Sequence, residues 1–410
     1  MTIKMRKILH STFFTKFLVL SSQFLVLGSL HAQGFGFSFS GSVNPQVWLD
    51  TRQTVGAREE MLDFYPKPIG LDAMGRDTNA VPMLNMLAIT NRLAVTVYGP
   101  DVLGAKVKGY IETDFTGSTD GGVNSLRLRH GYVDMQWTST KLLLGHYWHP
   151  MVVHEIMPGT RPLNMGAPFH PYARYNQVRV DQSFGRVGVV LTSGFQRDNT
   201  SQGPYGRSSS YLKHSLVPEL DAQLRYTSDH LFLGAAAHLV SIRPRPLGDN
   251  FSHITFSLFG KYDFNGWSIK AQTLIMGNLY EYSSMGGYVE TPLMAADSTL
   301  SYRYDAYTYN TYWVDFGRTE GRWRPGLLLA YARNNDYAYQ PEAGASVYGR
   351  GMDIEYLYRI QPRIGFVAGG GLSFYAEVEH TFAQYRSGGV SNQRFILSAV
   401  YAFATQRKQL

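Results

Sequence analysis

Apolar and polar residues alternate with a period of two through most of this chain. In Ala105 to Phe115, AKVKGYIETDF, one set is Ala105, Val107, Gly109, Ile111, Thr113 and Phe115; the other is Lys106, Lys108, Tyr110, Glu112 and Asp114. An extended strand sends successive side chains to opposite faces, so this segment has a greasy side and a charged side. Runs of this kind recur to the end, among them SLRLRHGYVDMQW, QVRVDQSF, LDAQLRYT, HITFSLFGKYDF and LSFYAEVEHTFAQY. With FGFSFSGSVNPQVWLDT at the start and NQRFILSAVYAFA at the end, about sixteen strands are expected, an even number as in bacterial single-chain barrels. Helical periodicity is all but absent.

The connections decide which side faces inward. A soluble sandwich buries its apolar face against a second sheet, whereas a membrane barrel turns that face to lipid and its charges to a watery lumen. Here short and long connections alternate. TST, Gly185-Arg186, SDH, Asn265-Gly266 and AGGG are tight, and the intervening loops after residues 51, 115, 150, 198 and 281 are long. Asn-Gly and Gly-rich turns supply the positive φ that hairpins need. The expected fold is therefore an all-β, transmembrane, antiparallel up-and-down barrel with short periplasmic turns and long extracellular loops. A secreted β-rich binding protein is the alternative, since burying the same face gives the same alternation.

Residues 1–32 read as a secretory signal peptide. Lys4, Arg6, Lys7 and Lys16 make a basic start, followed by FLVLSSQFLVLGSLHA and a cut after Ala32, with Leu30 bulkier than usual before it. Residues 33–410 then form the barrel. Taking those four cations from the 38 leaves 34 basic against 31 acidic residues, so nucleic acid is not an expected partner. There are no cysteines, which excludes a disulfide scaffold and thiolate metal sites. Beyond the leader no stretch approaches 18 consecutive apolar residues, so a membrane crossing has to be made by strands of a closed barrel.

With the apolar faces outward, Lys106, Lys108, Tyr110, Glu112 and Asp114 line the lumen. Leu126 and Leu128 pointing to lipid place Arg127 and Arg129 inside. Val178 and Val180 do the same for Arg179 and Asp181, and Leu224 and Tyr226 for Asp221, Gln223 and Arg225. An arginine in lipid at mid-depth costs about 2–4 kcal/mol, which fixes the face. Lys106, Lys108, Arg127, Arg129, Arg179 and Arg225 form a ladder of positive charge favouring anions, unless Glu112, Asp114, Asp181 and Asp221 balance it. The loop over residues 151–175 is stiffened by Pro158, Pro162, Pro168 and Pro171 and carries His154, Glu155, Arg161, His170 and Arg174. It is a candidate for folding inward and narrowing the lumen. His146, His149, His154 and Glu155 match no zinc-protease spacing, and His146 and His149 fall on opposite strand faces, so no metal and no cofactor is expected. Trp137, Trp148, Trp267 and Trp313 fall near strand ends, as an interfacial belt wants. A barrel enzyme would need a nucleophile, a His and an acid or carboxamide on the lipid-facing surface, which the faces assigned above do not offer.

AKVKGYIETDFTG, NSLRLRHGYVDMQW and KLLLGHYWHPM, in that order, resemble the trimeric porins of Gram-negative bacteria, in particular the DcaP-like porin family. The match covers about 50 residues; the remaining barrel fits by pattern. The resemblance implies a sixteen-stranded homotrimeric channel in the bacterial outer membrane, surrounded by lipid and lipopolysaccharide, for small hydrophilic and preferentially anionic solutes. It makes Arg127 and Arg129 pore-wall residues and Met151 to Arg174 the constricting third external loop. The chain departs from the family in lacking an N-terminal coiled coil and in ending AFATQRKQL, with Phe403 in place of a terminal aromatic residue.

Overall fold

The computed structural model describes residues 34–117, 119–294, 300–406 and 408–409; the expected leader lies outside them. Sixteen antiparallel strands close into one barrel. Strand β1 is Gly36–Val43 and, after a break at Pro45, Gln46–Asp50; β2 is Met83–Leu87 and Arg92–Tyr98. Proline cannot donate to the ladder, and the two breaks face each other. There the Asn44 amide donates to Thr90 Oγ1 at 3.0 Å, and the Asn91 carbonyl oxygen accepts the Asn44 N–H at 2.8 Å. The next strands are β3 Lys106–Asp114, β4 Arg127–Gln136, β5 Thr140–Trp148, β6 Arg174–Phe184, β7 Val187–Gln196 and β8 Glu219–Thr227. The second half contains β9 Leu231–Ile242, β10 Phe251–Phe264, β11 Trp267–Gly277, β12 Tyr309–Arg318, β13 Trp323–Asn334, β14 Ile354–Gly369, β15 Leu372–Tyr385 and β16 Gly388–Ala404. Closure is made by β1 on β16, with Ser40 opposite Ala404 and Asp50 opposite Arg394. Full closure leaves no edge, which is the condition for spanning lipid with strands. At the seam a side chain on Gly41 would meet the Phe403 ring and the Arg92 carbonyl, so that approach requires glycine.

The outward faces are apolar as the alternation requires. Ile111 is 54 % and Leu128 48 % exposed, with Leu144, Val178, Leu191, Leu224, Leu258, Val314 and Leu397 in the same band. At the periplasmic rim Trp267 lies flat on Phe316, ring centroids 4.7 Å apart, and Tyr262 stacks on Phe264 at 5.6 Å. These rings form a girdle of the kind an interface favours. Trp148 and Trp313 do not join it; both are buried, Trp148 against the Arg174 guanidinium and Trp313 against the His170 ring of the loop that follows β5.

Periplasmic turns are short throughout. Asn265 and Gly266, with φ of 46° and 76°, give the hairpin between β10 and β11 its double positive-φ turn. The external side departs from strict alternation at its last member, where Arg386-Ser387 alone joins β15 to β16. The alternating run DAYTYNTYWVDFG, Asp305 to Gly317, is split between two sheets. Leu300–Tyr307 pairs with Gly286–Met294, which also pairs with Ser346–Arg350, in a small sheet above the barrel, and β12 begins only at Tyr309. Continuous alternation carries no mark of where a strand leaves the barrel wall.

Candidate functional site: a loop across the barrel lumen

A sixteen-stranded barrel is too wide for wall side chains to fill, so what occupies the lumen comes from loops. The loop between β5 and β6 does so. Its prolines and glycines allow only one short helical turn, His154–Ile156, and leave most of its backbone groups without regular partners. Inward-facing wall residues supply those partners. Gln223 of β8 and Gln272 of β11 donate to the carbonyls of Pro150 and Met151 at 2.9 and 3.1 Å. Lys270 of β11 donates to Met157 O at 2.8 Å, Gln46 of β1 to Arg161 O at 3.1 Å, and Arg359 of β14 to Ala167 O at 2.8 Å. The Arg161 N–H in turn donates to the Glu377 carboxylate of β15 at 2.8 Å. Anchors on strands from both sides of the barrel mean that the loop crosses the lumen. The loop's own Met151, Val153, Ile156, Ala167 and Phe169 are buried.

The loop between β1 and β2 also turns inward, through the hairpin Thr54–Ala57 and Leu62–Pro66. Asp63 on its second strand meets Arg359 at 3.2 Å, while Arg394 holds Asp50 with two bonds of 2.8 and 2.7 Å. In sequence this stretch is only a long interruption, because nothing local marks a loop for folding inward.

The residues singled out from sequence face the interior in two different states. Arg127 forks onto Asp114 at 3.1 and 2.8 Å; Arg129, 1 % exposed, bonds Asp114 at 2.8 Å and also Glu112. Glu112 accepts from Tyr110 as well, at 2.7 Å. A bulge between Glu112 and Thr113 turns both Arg129 and His130 inward and brings the two arginines onto the two acids. Arg179 is paired with Asp181 at 2.6 Å and Arg225 with Glu155 at 3.1 Å, and Lys108 and Lys141 share Asp134 at 3.7 and 2.8 Å. The ladder is thus largely neutralised from within, the balanced arrangement rather than open positive charge. Asp221 pairs with none of the arginines; it faces His238 at 3.8 Å. Lys106 is exposed and has no carboxylate within 4.0 Å among the described residues.

Within the loop, His154, Glu155 and Arg161 are exposed, whereas His170 and Arg174 are buried. His170 packs against Trp313, ring centroids 5.5 Å apart, and the Arg174 guanidinium lies 3.6 Å from the Trp148 ring centre. Neither is exposed to solvent. His146, with Asp198 3.8 Å away, is apart from His149, which lies inside.

Open positive charge lies instead on the opposite wall. A cavity of about 190 Å³ is lined by Arg161 of the loop, Lys270, Asp315, Arg324, Arg363 and Tyr375. Asp315 receives both arms of Arg363, at 2.7 and 2.9 Å. The side-chain cations of Lys270, Arg324 and Arg161 have no carboxylate within 4.0 Å among the described residues, although the Arg161 backbone N–H holds Glu377. Arg161 rests 4.2 Å above the Tyr375 ring. Gly159, Gly317 and Gly326 surround the Arg363 guanidinium so closely that a Cβ on any of them would stand within 2.8 Å of it. The same alternation that marks β3 to β8 marks these positions: Ile269 and Ile364 point outward and place Lys270 and Arg363 inward.

No family model and no curated protein matches the chain. Solved structures do. The outer membrane channel DcaP of Acinetobacter baumannii is similar at a TM-score of 0.67 and 17 % identity, over 90 % of this chain and 98 % of that one. An anion-selective porin from Comamonas acidovorans is similar at 0.55 and 12 %, over 90 % and 100 %. OmpF of Salmonella typhi is similar at 0.54 and 11 %, over 91 % and 98 %. At these identities the likeness shows the fold: a sixteen-stranded barrel of the outer-membrane porin type.

Proposed function

We propose that the chain is a passive diffusion pore of the bacterial outer membrane for small hydrophilic solutes, with a preference for anions, acting as a homotrimer. The observation that carries this reading is the loop over 149–173 crossing a closed barrel and leaving beside it a lumen section where Lys270, Arg324 and Arg161 outnumber their carboxylates. Solutes move down their gradient through water, and the fixed charges bias which ions dwell in the narrow section. The pore's proposed wall includes Lys106, Lys108, Arg179 and Arg225, but the anion bias comes chiefly from the uncompensated cations between loop and β11–β15. Similarity to a channel and to an anion-selective porin supports the same function. A form of OmpT from Vibrio cholerae described as a trimer, similar at a TM-score of 0.51, supports the assembly. Planar-bilayer recording on the detergent-purified protein tests the reading. The expected result is ohmic conductance with a reversal potential on the anion side in a KCl gradient; a folded protein that inserts and passes no current overturns it.

A further inference from the structure

Where the crossing loop leaves β5, the fold brings together His149, just past the end of β5, Glu219, the first residue of β8, and His238 within β9. All three are essentially inaccessible to solvent. One ligating atom from each lies within 4.8 Å of the others. His149 Nε2 stands 3.5 Å and His238 Nε2 3.8 Å from Glu219 Oε2. None of these atoms has a hydrogen-bond partner among the described residues. A direct bond between imidazole and carboxylate would close to about 2.7–3.2 Å. Ligands on a tetrahedral ion with bonds of about 2.0–2.2 Å stand about 3.3–3.6 Å apart, so the 3.5 Å separation falls in that range and the 3.8 Å one just above it, both longer than a hydrogen bond.

From this geometry we infer a divalent transition-metal site, of zinc class, held by His149 Nε2, Glu219 Oε2 and His238 Nε2. The surroundings are arranged as such a site needs. Glu219 Oε1 is occupied by the Gln196 amide at 2.8 Å and by the Tyr282 hydroxyl, which leaves Oε2 aimed at the two rings. Asp221 Oδ2 lies 3.8 Å from His238 Nδ1, on the side of the ring away from the metal, too far for a hydrogen bond, so the carboxylate adds negative charge there without fixing the ring. Tyr282 stacks on His149 with ring centroids 4.1 Å apart and fixes its plane. One contact competes: the Met151 N–H donates to His149 Nδ1 at 3.2 Å, and loading Nε2 shifts the ring proton to Nδ1, so that bond yields on metal uptake. Without an ion, Glu219 is a fully buried carboxylate held by neutral donors on Oε1 and facing two imidazoles, with no lysine or arginine paired to it among the described residues; a cation offsets that burial cost. The site would pin the start of the crossing loop to the barrel wall, independently of what passes through the lumen.

The test is metal uptake by the full-length, detergent-purified protein after stripping with a chelator. Expected are about one tightly held Zn²⁺ per chain and, on cobalt substitution, the intense visible absorption of a four-coordinate ion. Glu219→Gln and His238→Ala each lower the affinity by at least about 100-fold while heat-modifiable migration on gels shows the barrel intact. Should either variant fail to fold, the wild-type cobalt spectrum decides alone. Uptake well below one ion per chain, a weak octahedral cobalt spectrum, or unchanged affinity in folded variants overturns the site.

Discussion

Replacing Lys270 and Arg324 together by Glu reverses the charge of the narrow section without touching the paired arginines of β4. Each substitution changes the local charge by two, four units in all. For a solute ion centred about 8 Å from each site in water, one unit contributes about 0.5 kcal/mol, reduced to about 0.2 kcal/mol at 0.1 M salt by a screening length near 10 Å. Four units amount to about 1 kcal/mol, roughly fivefold against an anion and the same factor in favour of a cation, so the permeability ratio moves about 20-fold. Lys270 also donates to Met157 O, so Lys270→Gln with Arg324→Gln serves as the companion, removing charge without reversing it. The assay is the reversal potential across a planar bilayer in a KCl gradient. The double Glu variant is expected to cross from anion to cation preference, with the Gln variant between it and the wild type. A reversal potential that stays put while the variant still conducts refutes the assignment of selectivity to this wall, and with it the use of uncompensated charge as the guide.

Arg127→Gln tests the opposite half. It strips a buried carboxylate of its forked partner, and although Arg129 still holds Asp114, the loss is about 3 kcal/mol, seen as a lower urea midpoint for the folded gel band with little change in selectivity. Gly326→Ala places a methyl group 2.5 Å from the Arg363 guanidinium carbon, forcing the side chain off Asp315; net charge is unchanged, so single-channel conductance alters while the permeability ratio holds. In the loop between β1 and β2, the Arg52 guanidinium at 2.7 Å, with the N–H groups of Gly70 and Asn79, holds the Asp77 carboxyl down to about 2. Its folded value lies below its unfolded one, so its stabilisation is present above about pH 4 and lost as pH falls toward 2. Pepsin cleavage within 51–82 is therefore expected to rise across that window, and Asp77→Asn to show the raised cleavage already at its upper end.

The strands and their faces were legible because a period of two is local and because lipid on one side and water on the other penalise every misplaced residue alike. Ile111, Leu128, Val178 and Leu224 face outward for that reason. The loop over 151–175 was legible in its stiffness but not in its anchors, since Gln46, Gln223, Arg359 and Glu377 come from distant segments. The pairing of Arg127 and Arg129 with Asp114 and Glu112 depends on a one-residue bulge that no composition announces. Lys270, Arg324 and Arg363 were within reach of the same alternation, carried on past β8. His149, Glu219 and His238 were not: sequence spacing looks for ligands on one helix or hairpin, and these meet only when three hairpins close side by side.

Inward polar residues serve two tasks that sequence cannot separate, satisfying the crossing loop's backbone and setting the lumen's field. Gln223 and Gln272 perform only the first. Arg127 and Arg129 perform neither, because their charge is cancelled locally and their donors are occupied by carboxylates. Lys270 performs both: its ammonium satisfies the Met157 carbonyl, yet a carbonyl carries no net charge, so the lysine's field persists in the water beside it. The selectivity of such a lumen therefore follows from which cations lack a carboxylate, not from how many cations line it or how many hydrogen bonds they make. By that criterion the field belongs chiefly to β11–β15 and Arg161 of the loop, with Lys106 the uncompensated exception on the other wall, where the paired arginines act as scaffold.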